Sequence, residues 1–296
     1  MVYLGDFLEN SMLGRIVAIS YGVYSVNCDG VIYQTSPRGL FRKNHQKLSV
    51  GDVVNLDESN YVITDLEPRF SSLKRPQIAN VEQILVVFSL SEPSFSYYLA
   101  LKYLCYANYN GIKSYLVLTK TDKDDLKEGE SIKETFEKIG IKTFLVSNKN
   151  LSGIEEIKSL FKENTISCFM GQTGVGKSSL LNSIDPNYER EVGEYSEALG
   201  RGKHKTKEVV LLPYLNGFIA DTPGFSSLAL DMSLEDVAHY YPGMQIDSLK
   251  CFYSNCLHIS ESKCEVKKKV EEGNIPSIIY ESYLKLIEEI KGELKK

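Results

Sequence analysis

Between residues 13 and 66, apolar residues fall in short alternating runs at 15–19, 23–27, 31–35, 53–56 and 61–64, broken by Gly, Asp and Asn. Alternation with period two over four or five residues is the pattern of a half-buried strand, and frequent turn residues join such strands into a small all-β domain. Five strands in this span suit an oligonucleotide-binding (OB) barrel, and an SH3-like barrel has nearly the same pattern. Residues 1–11 carry no clear period and receive no element.

After Pro68 the texture changes to continuous apolar runs at 83–90, 114–119, 142–146, 166–170, 209–212 and 217–220. Continuous runs separated by helical stretches are how a parallel sheet covered on both faces reads in sequence. One helix is expected from about Phe95 to a C-terminal cap near Gly111, a second after Gly153, and a third over 179–184. Ser233 and Asp236 have the spacing of a helix start. Pro276 opens a last helix with Ile279, Tyr283, Leu286 and Ile290 on one face. The expected organisation is an OB-like β-barrel over 1–70, an α/β domain over 71–232, and a mainly helical tail domain over 233–296.

Composition adds little to this outline. The 296 residues are 43% hydrophobic and 25% charged, which is ordinary for a multidomain globular chain. No apolar run reaches the roughly 20 residues of a membrane-spanning helix, and no basic region followed by an apolar run opens the chain. A soluble, cytoplasmic monomer with no membrane partner is expected. The net charge of −5 argues against indiscriminate nucleic-acid binding. Two stretches run the other way: 36–47 holds Arg38, Arg42, Lys43 and Lys47, and 201–207 holds Arg201, Lys203, Lys205 and Lys207, both without an acid. Either run alone is more often a solvated loop than a binding site.

Candidate chemistry changes the picture more. Gly171-Gln172-Thr173-Gly174-Val175-Gly176-Lys177-Ser178, followed by Ser179, fits the phosphate-binding loop pattern and stands directly between an apolar strand and a helical run. Its glycines let backbone N–H groups close around phosphate oxygens at a helix N-terminus. Lys177 adds a point charge, and Ser178 suits a Mg²⁺ ion. Asp221-Thr-Pro-Gly224 follows the strand at 217–220, where a carboxylate can hold the metal and a glycine N–H can meet the γ-phosphate. Thr119-Lys120-Thr-Asp122 follows the strand ending at Thr119 and is similar to the base-recognition loop of GTPases. There an ionised Asp122 accepts from the ring N–H and exocyclic amine of guanine, a donor pair that adenine lacks. Ser147, after the next strand, sits where GTPases place a small residue beside the guanine carbonyl. In most GTPases the phosphate loop comes first and the base-reading loops last. Here the order is permuted, which a parallel sheet tolerates when its original termini can be joined.

Of the six cysteines, Cys28, Cys105 and Cys168 lie scattered among apolar neighbours and read as buried free thiols. The other three form Cys251-x4-Cys256-x-His258-x5-Cys264, the ligand set of a closed tetrahedral zinc site. Four protein ligands leave no open position, so such a zinc would be structural.

A β-barrel, permuted GTPase motifs and this Cys/His spacing together resemble the ribosome small subunit-dependent GTPases, the RsgA family, over essentially everything after residue 12. The runs Gly39-Leu-Phe-Arg-Lys43, Pro93-Ser-Phe95, Gly200-Arg-Gly-Lys-His204 and Gly224-Phe-Ser-Ser-Leu228 carry the likeness further. The resemblance implies hydrolysis of GTP to GDP, stimulation by the small ribosomal subunit through its rRNA, and a role late in that subunit's maturation. It implies a hydrophobic residue, here Phe225, where other GTPases keep a water-positioning glutamine, with His204 as the replacement. It also implies Thr206 as the switch threonine that closes over Mg²⁺ with Ser178 and Asp221. His204, Lys177 and Thr206 are then the catalytic candidates. Lys205 departs from the family's His-Thr-Thr. Two other readings use the same loops: an RNA-binding assembly factor in which GTP acts mainly as a conformational lock, and a P-loop small-molecule kinase, which leaves Thr119 to Asp122 unexplained.

Overall fold

The computed structural model describes residues 11–39, 47–74, 76–123, 126–190, 193, 195, 209–221, 228 and 230–293, with the side chains of residues 126, 221 and 293 outside that description. Two compact units emerge, one within Met1–Glu82, Lys162–Cys168 and Asn187–Gly224, the other within Gln83–Phe161, Phe169–Pro186 and Phe225–Lys296.

The first unit contains the five strands that the alternating pattern predicts: β1 (Ser11–Ser20), β2 (Val23–Cys28), β3 (Val31–Thr35), β4 (Val53–Asp57) and β5 (Ile63–Leu66). β1 is longer than expected and reaches into the stretch that had no period, because it pairs with β4 through Ser11 to Arg15 and with β2 through Arg15 to Ser20. A register shift between Ile16 and Ala18 lets one strand serve both neighbours. β2 pairs with β3 and β4 with β5, and a parallel bridge from Pro37 to Ile63 closes the ring in the order β1-β2-β3-β5-β4. That closure decides for the OB arrangement over the SH3-like one. Ile16, Val26, Val54, Leu56 and Ile63 fill the barrel, each fully buried.

A short hairpin of β6 (Ser72–Lys74) and β7 (Gln77–Ala79) follows, too brief to leave a periodic signal. Later in the chain come β11 (Ile166–Met170), β12 (Val210–Tyr214) and β13 (Gly217–Asp221). β12 and β13 form an antiparallel hairpin, β12 joins β1 at Ala18↔Val210, and β13 runs parallel to the first three residues of β11. In this unit the carboxylate of Asp52, fully buried, accepts from Ser49 N at 2.7 Å and from the Arg69 guanidinium at 2.6 and 2.7 Å.

In the second unit β8 (Gln83–Ser89), β9 (Lys113–Thr119) and β10 (Thr143–Leu145) are parallel neighbours. β8 is buried along its whole length, as its continuous apolar run predicts. The connection from β8 to β9 is α1 (Tyr97–Tyr109), capped by the Ser96 hydroxyl, which accepts from Leu99 N at 3.3 Å. The connection from β9 to β10 is α2 (Leu126–Lys138), a helix with no counterpart among the expected elements. Its residues are mostly charged. Among its described residues Gly129, Ile132 and Phe136 carry the buried stripe, with Tyr97 stacked on the Phe136 ring at 5.7 Å. α3 (Ile154–Lys158) and α4 (Lys177–Ile184) follow.

The tail consists of α5 (Leu234–Tyr240), α6 (Gln245–Ser248), α7 (Glu265–Glu271) and α8 (Ser277–Glu293). Ser233 and Asp236 form the capping box that their spacing suggests: the Ser233 hydroxyl accepts from Asp236 N, and the Asp236 carboxylate accepts from Ser233 N. The apolar face of α8 is buried at Ile279, Tyr283, Leu286 and Ile290. α8 is pinned to α1 by Lys102 and Glu289, 2.7 Å apart. Among the described residues, no helix is long and apolar enough to cross a membrane.

The Asp52–Arg69 pair yields a prediction. Arg69→Met leaves a buried carboxylate without its cation, and breaking a buried pair costs about 3 kcal/mol or more. Urea denaturation of the full chain should show that loss, and the added change Asp52→Asn should recover part of it. A loss below about 1 kcal/mol, as for an exposed pair, would contradict it.

Candidate nucleotide pocket and metal centre

The phosphate loop begins where β11 ends. Gly171 lies so close to β8 that a Cβ there would stand 2.1 Å from the Val87 carbonyl oxygen. At the loop's other end Gly176 has φ 94°, a left-handed conformation that turns the chain into α4. Gln172, Thr173, Gly174 and Val175 make the turn between them, and Ser178 and Ser179 are exposed on the first turn of α4. Lys177 folds back over the loop, its Nζ donating to the carbonyls of Gly171 and Gln172 at 2.7 Å each. Burial lowers its pKa from the usual lysine value.

β9 delivers Thr119 to the same place. Its hydroxyl is fully buried and lies 2.5 Å from the Val175 carbonyl oxygen and 3.2 Å from that of Phe88. This contact joins the base-reading loop to the phosphate loop. Next along, Lys120 sends its Nζ to the carbonyls of Ser91 and Glu92, at 3.3 and 2.6 Å. Asp122 is exposed, and its Oδ1 accepts from the Ser147 hydroxyl at 2.7 Å. That bond holds the Asp122 carboxyl below the usual carboxylate range, so it is an acceptor at neutral pH. Ser147 is buried after β10, and its Oγ accepts from the backbone N–H groups of Lys149 and Asn150 at 3.2 and 3.3 Å. Thr119, Asp122, Ser147 and Gly171 to Ser179 thus lie in one unit, linked by these short bonds.

Other expected site residues are placed less fully. Asp221 is the last residue of β13, where its backbone pairs with Val210. Its side chain, together with His204, Lys205, Thr206, Gly224, Phe225 and the basic run 201–207, lies outside the described residues.

The Cys/His motif folds into a cluster. Cys251, Cys256, His258 and Cys264 bring their ligand atoms within 4.8 Å of one another. His258 Nδ1 lies 3.6 Å from Cys251 Sγ and 3.4 Å from Cys264 Sγ, and the two sulfurs are 3.9 Å apart. A tetrahedral ion with sulfur and nitrogen ligands at ordinary zinc distances has edges of about 3.8 Å between sulfurs and about 3.5 Å between sulfur and nitrogen. The donor set therefore fits such an ion in both chemistry and spacing. Burial pushes the Cys256 thiol up to about 12 and raises that of Cys264, so these sulfurs ionise readily only against a cation.

Residues outside the motif hold the cluster in shape. Tyr280 and Tyr283 donate to the carbonyls of His258 and Leu257 at 2.7 and 2.6 Å, and Glu261 accepts from the N–H groups of Leu257 and Ile259 at 2.8 Å each. Their spacing in sequence marks Tyr283 only as part of an apolar helix face. Nothing there points to a hydrogen bond with the cysteine loop.

With the geometry in place, comparison with known proteins is specific. The family model for the RsgA N-terminal domain matches residues 13–61, and that for the RsgA GTPase matches residues 66–231. The small ribosomal subunit biogenesis GTPase RsgA of Halalkalibacterium halodurans is 40% identical over 291 residues, covering 96% of this chain and 98% of that protein. Its counterpart from Geobacillus sp. is 40% identical over 285 residues, covering 94% and 97%. Two solved structures superpose with a TM-score of 0.80: YjeQ from Thermotoga maritima at 31% identity, covering 95% of this chain and 99% of that one, and YloQ, described as a circularly permuted GTPase, at 32% identity, covering 98% and 99%. The phosphate loop, the base-reading loops in permuted order, the strand-rich N-terminal region and the Cys/His tail have one common explanation, and the chain belongs to the RsgA family of GTP-hydrolysing enzymes.

Proposed function

We propose that this enzyme hydrolyses GTP to GDP as a monomeric, cytoplasmic factor in late maturation of the small ribosomal subunit, whose rRNA stimulates turnover. The observation that carries the nucleotide part is the bond from Thr119 to Val175, which sets the base-reading loop against the phosphate loop. Relatives covering nearly the whole chain, each named a small ribosomal subunit biogenesis GTPase, support the choice of partner.

In this reading Asp122 accepts from the two guanine donors, and Ser147 orients it. Backbone N–H groups from Gly174 to Ser178, with Lys177, hold the phosphates, and Gly224 N–H meets the γ-phosphate. Ser178, Thr206 and Asp221 would hold Mg²⁺, which would supply positive charge to the phosphates. Phe225 has no group to polarise water, so His204 orients the nucleophile. It precedes Thr206 by two residues, so a closure of the loop that brings Thr206 to the nucleotide would carry the imidazole with it. The basic residues of the same loop let rRNA phosphates order His204 directly. The tail's Cys251, Cys256, His258 and Cys264 hold one structural zinc.

Multiple-turnover GTPase assays with added small or large subunits test the proposal, and only the small subunit should stimulate. His204→Ala should leave GTP affinity and subunit binding nearly intact while lowering stimulated turnover roughly tenfold to a thousandfold. Recovery of the wild-type rate at saturating subunits would make His204 an RNA contact and end its catalytic role.

Freshly purified protein should carry about one zinc per chain, and Cys256→Ser should lower the unfolding midpoint of the tail more than it weakens nucleotide binding. Metal analysis finding no zinc would remove the ion from the account.

A further inference from the structure

The base-reading loop contains a second side chain that nothing above employs. Asn148 follows Ser147 in a turn tied down by Ser147 N to the Ser152 carbonyl at 3.1 Å and by the two bonds that Ser147 Oγ accepts. Its amide reaches toward the phosphate loop: Nδ2 is 3.4 Å from the position that a Cβ on Gly176 would take, with Thr119 Oγ1 at 3.7 Å from the same point. The other end of the amide, Oδ1, is buried with no hydrogen-bond partner among the described residues. A buried polar atom without a partner costs about 1–3 kcal/mol, and an amide oxygen at that end could be completed only by a donor. A half-turn of the amide exchanges its two ends without moving the other atoms and puts the NH2 there instead, a donor in want of an acceptor.

The donor count at this site says which ligand group that is. Guanine presents two edges: the N1 and 2-amino donors, which suit Asp122, and the O6 and N7 acceptors. The second edge needs a donor. Thr119 is the residue of the Thr-Lys-x-Asp loop bonded to the phosphate loop, but a hydroxyl carries one hydrogen, and here its Oγ1 lies 2.5 Å from the Val175 carbonyl oxygen and 3.2 Å from that of Phe88. An asparagine at position 119 would have had a hydrogen to spare. Asn148, beside it, has two.

We propose that the Asn148 side-chain amide donates to O6 of guanine and is a specificity-determining residue of the pocket, completing on that edge what Asp122 reads on the other. The inference rests on the assignment of this pocket to GTP. It separates guanine from adenine, because adenine carries a donor, its 6-amino group, where guanine carries O6.

The test is equilibrium binding of GTP, ITP and ATP to the full-length wild type, Asn148→Ala and Asn148→Asp. Inosine keeps O6 and N7 and lacks the 2-amino group. Asn148→Ala should weaken GTP and ITP by the same factor, roughly tenfold, and leave the weak binding of ATP unchanged. Asn148→Asp keeps the shape, replaces the donor by an acceptor, and should lower the GTP/ATP preference further still. A merely structural Asn148 would weaken all three nucleotides together or none, and an unchanged GTP/ATP preference in both variants would overturn the proposal. If the wild type itself failed to prefer GTP over ATP, the guanine pocket would be wrong, an outcome distinct from failure of Asn148 alone.

Discussion

Thr119 and Val175 are 56 positions apart in sequence, and the hydroxyl of one meets the carbonyl of the other at 2.5 Å in a fully buried setting. Two loops must be held at a fixed separation if one nucleotide is to have its base read by the first and its phosphates bound by the second. Each loop is positioned by its own strand: β9 carries Thr119, and β11 runs into Gly171. The hydroxyl also satisfies a carbonyl on the phosphate loop that burial would otherwise leave short of a partner. From this point outward the other contacts follow, with Ser147 holding Asp122, Lys177 closing over its own loop and Gly171 packed against β8.

The bond also explains why chain order is immaterial. The base-reading loops come before the phosphate loop in sequence, yet parallel strands present their following loops at the same edge whatever the order of connection. The glycines and hydroxyls act through position alone. The tail repeats the logic on a smaller scale: three cysteines and a histidine from one short segment converge because Glu261, Tyr280 and Tyr283 satisfy the backbone around them. The tail's own core is apolar, with the Tyr241 and Tyr283 rings 5.1 Å apart.

Much of this was legible in the sequence because the relevant signals are local. A glycine pattern between strand and helix, a Thr-Lys-x-Asp tetrapeptide after an apolar run, and cysteine spacing all report chemistry within a few residues. The five barrel strands were readable from alternation, but the choice of barrel was not, since it depends on the long-range bridge from Pro37 to Ile63. α2 was missed because Ile132 and Phe136 are the two large apolar side chains buried among its described residues, too narrow a stripe along a mostly charged helix to stand out. The start of β1 at Ser11 was missed because the pairing with β4 that creates it lies more than 40 residues away. Asn148 was invisible for another reason: its significance lies in a buried amide end without a partner and in the single hydrogen of Thr119, both facts of three-dimensional arrangement.

The most direct test of the central claim is the affinity of Thr119→Val for GTP, measured beside that of Thr119→Ser. Valine keeps the shape and removes the hydroxyl, leaving the Val175 carbonyl without its donor, a loss of about 1–3 kcal/mol. Because that loss falls on the joint between the loops, GTP affinity should drop by roughly tenfold or more, while Thr119→Ser keeps near wild-type affinity. Wild-type GTP affinity in Thr119→Val would contradict the claim that this bond assembles the pocket.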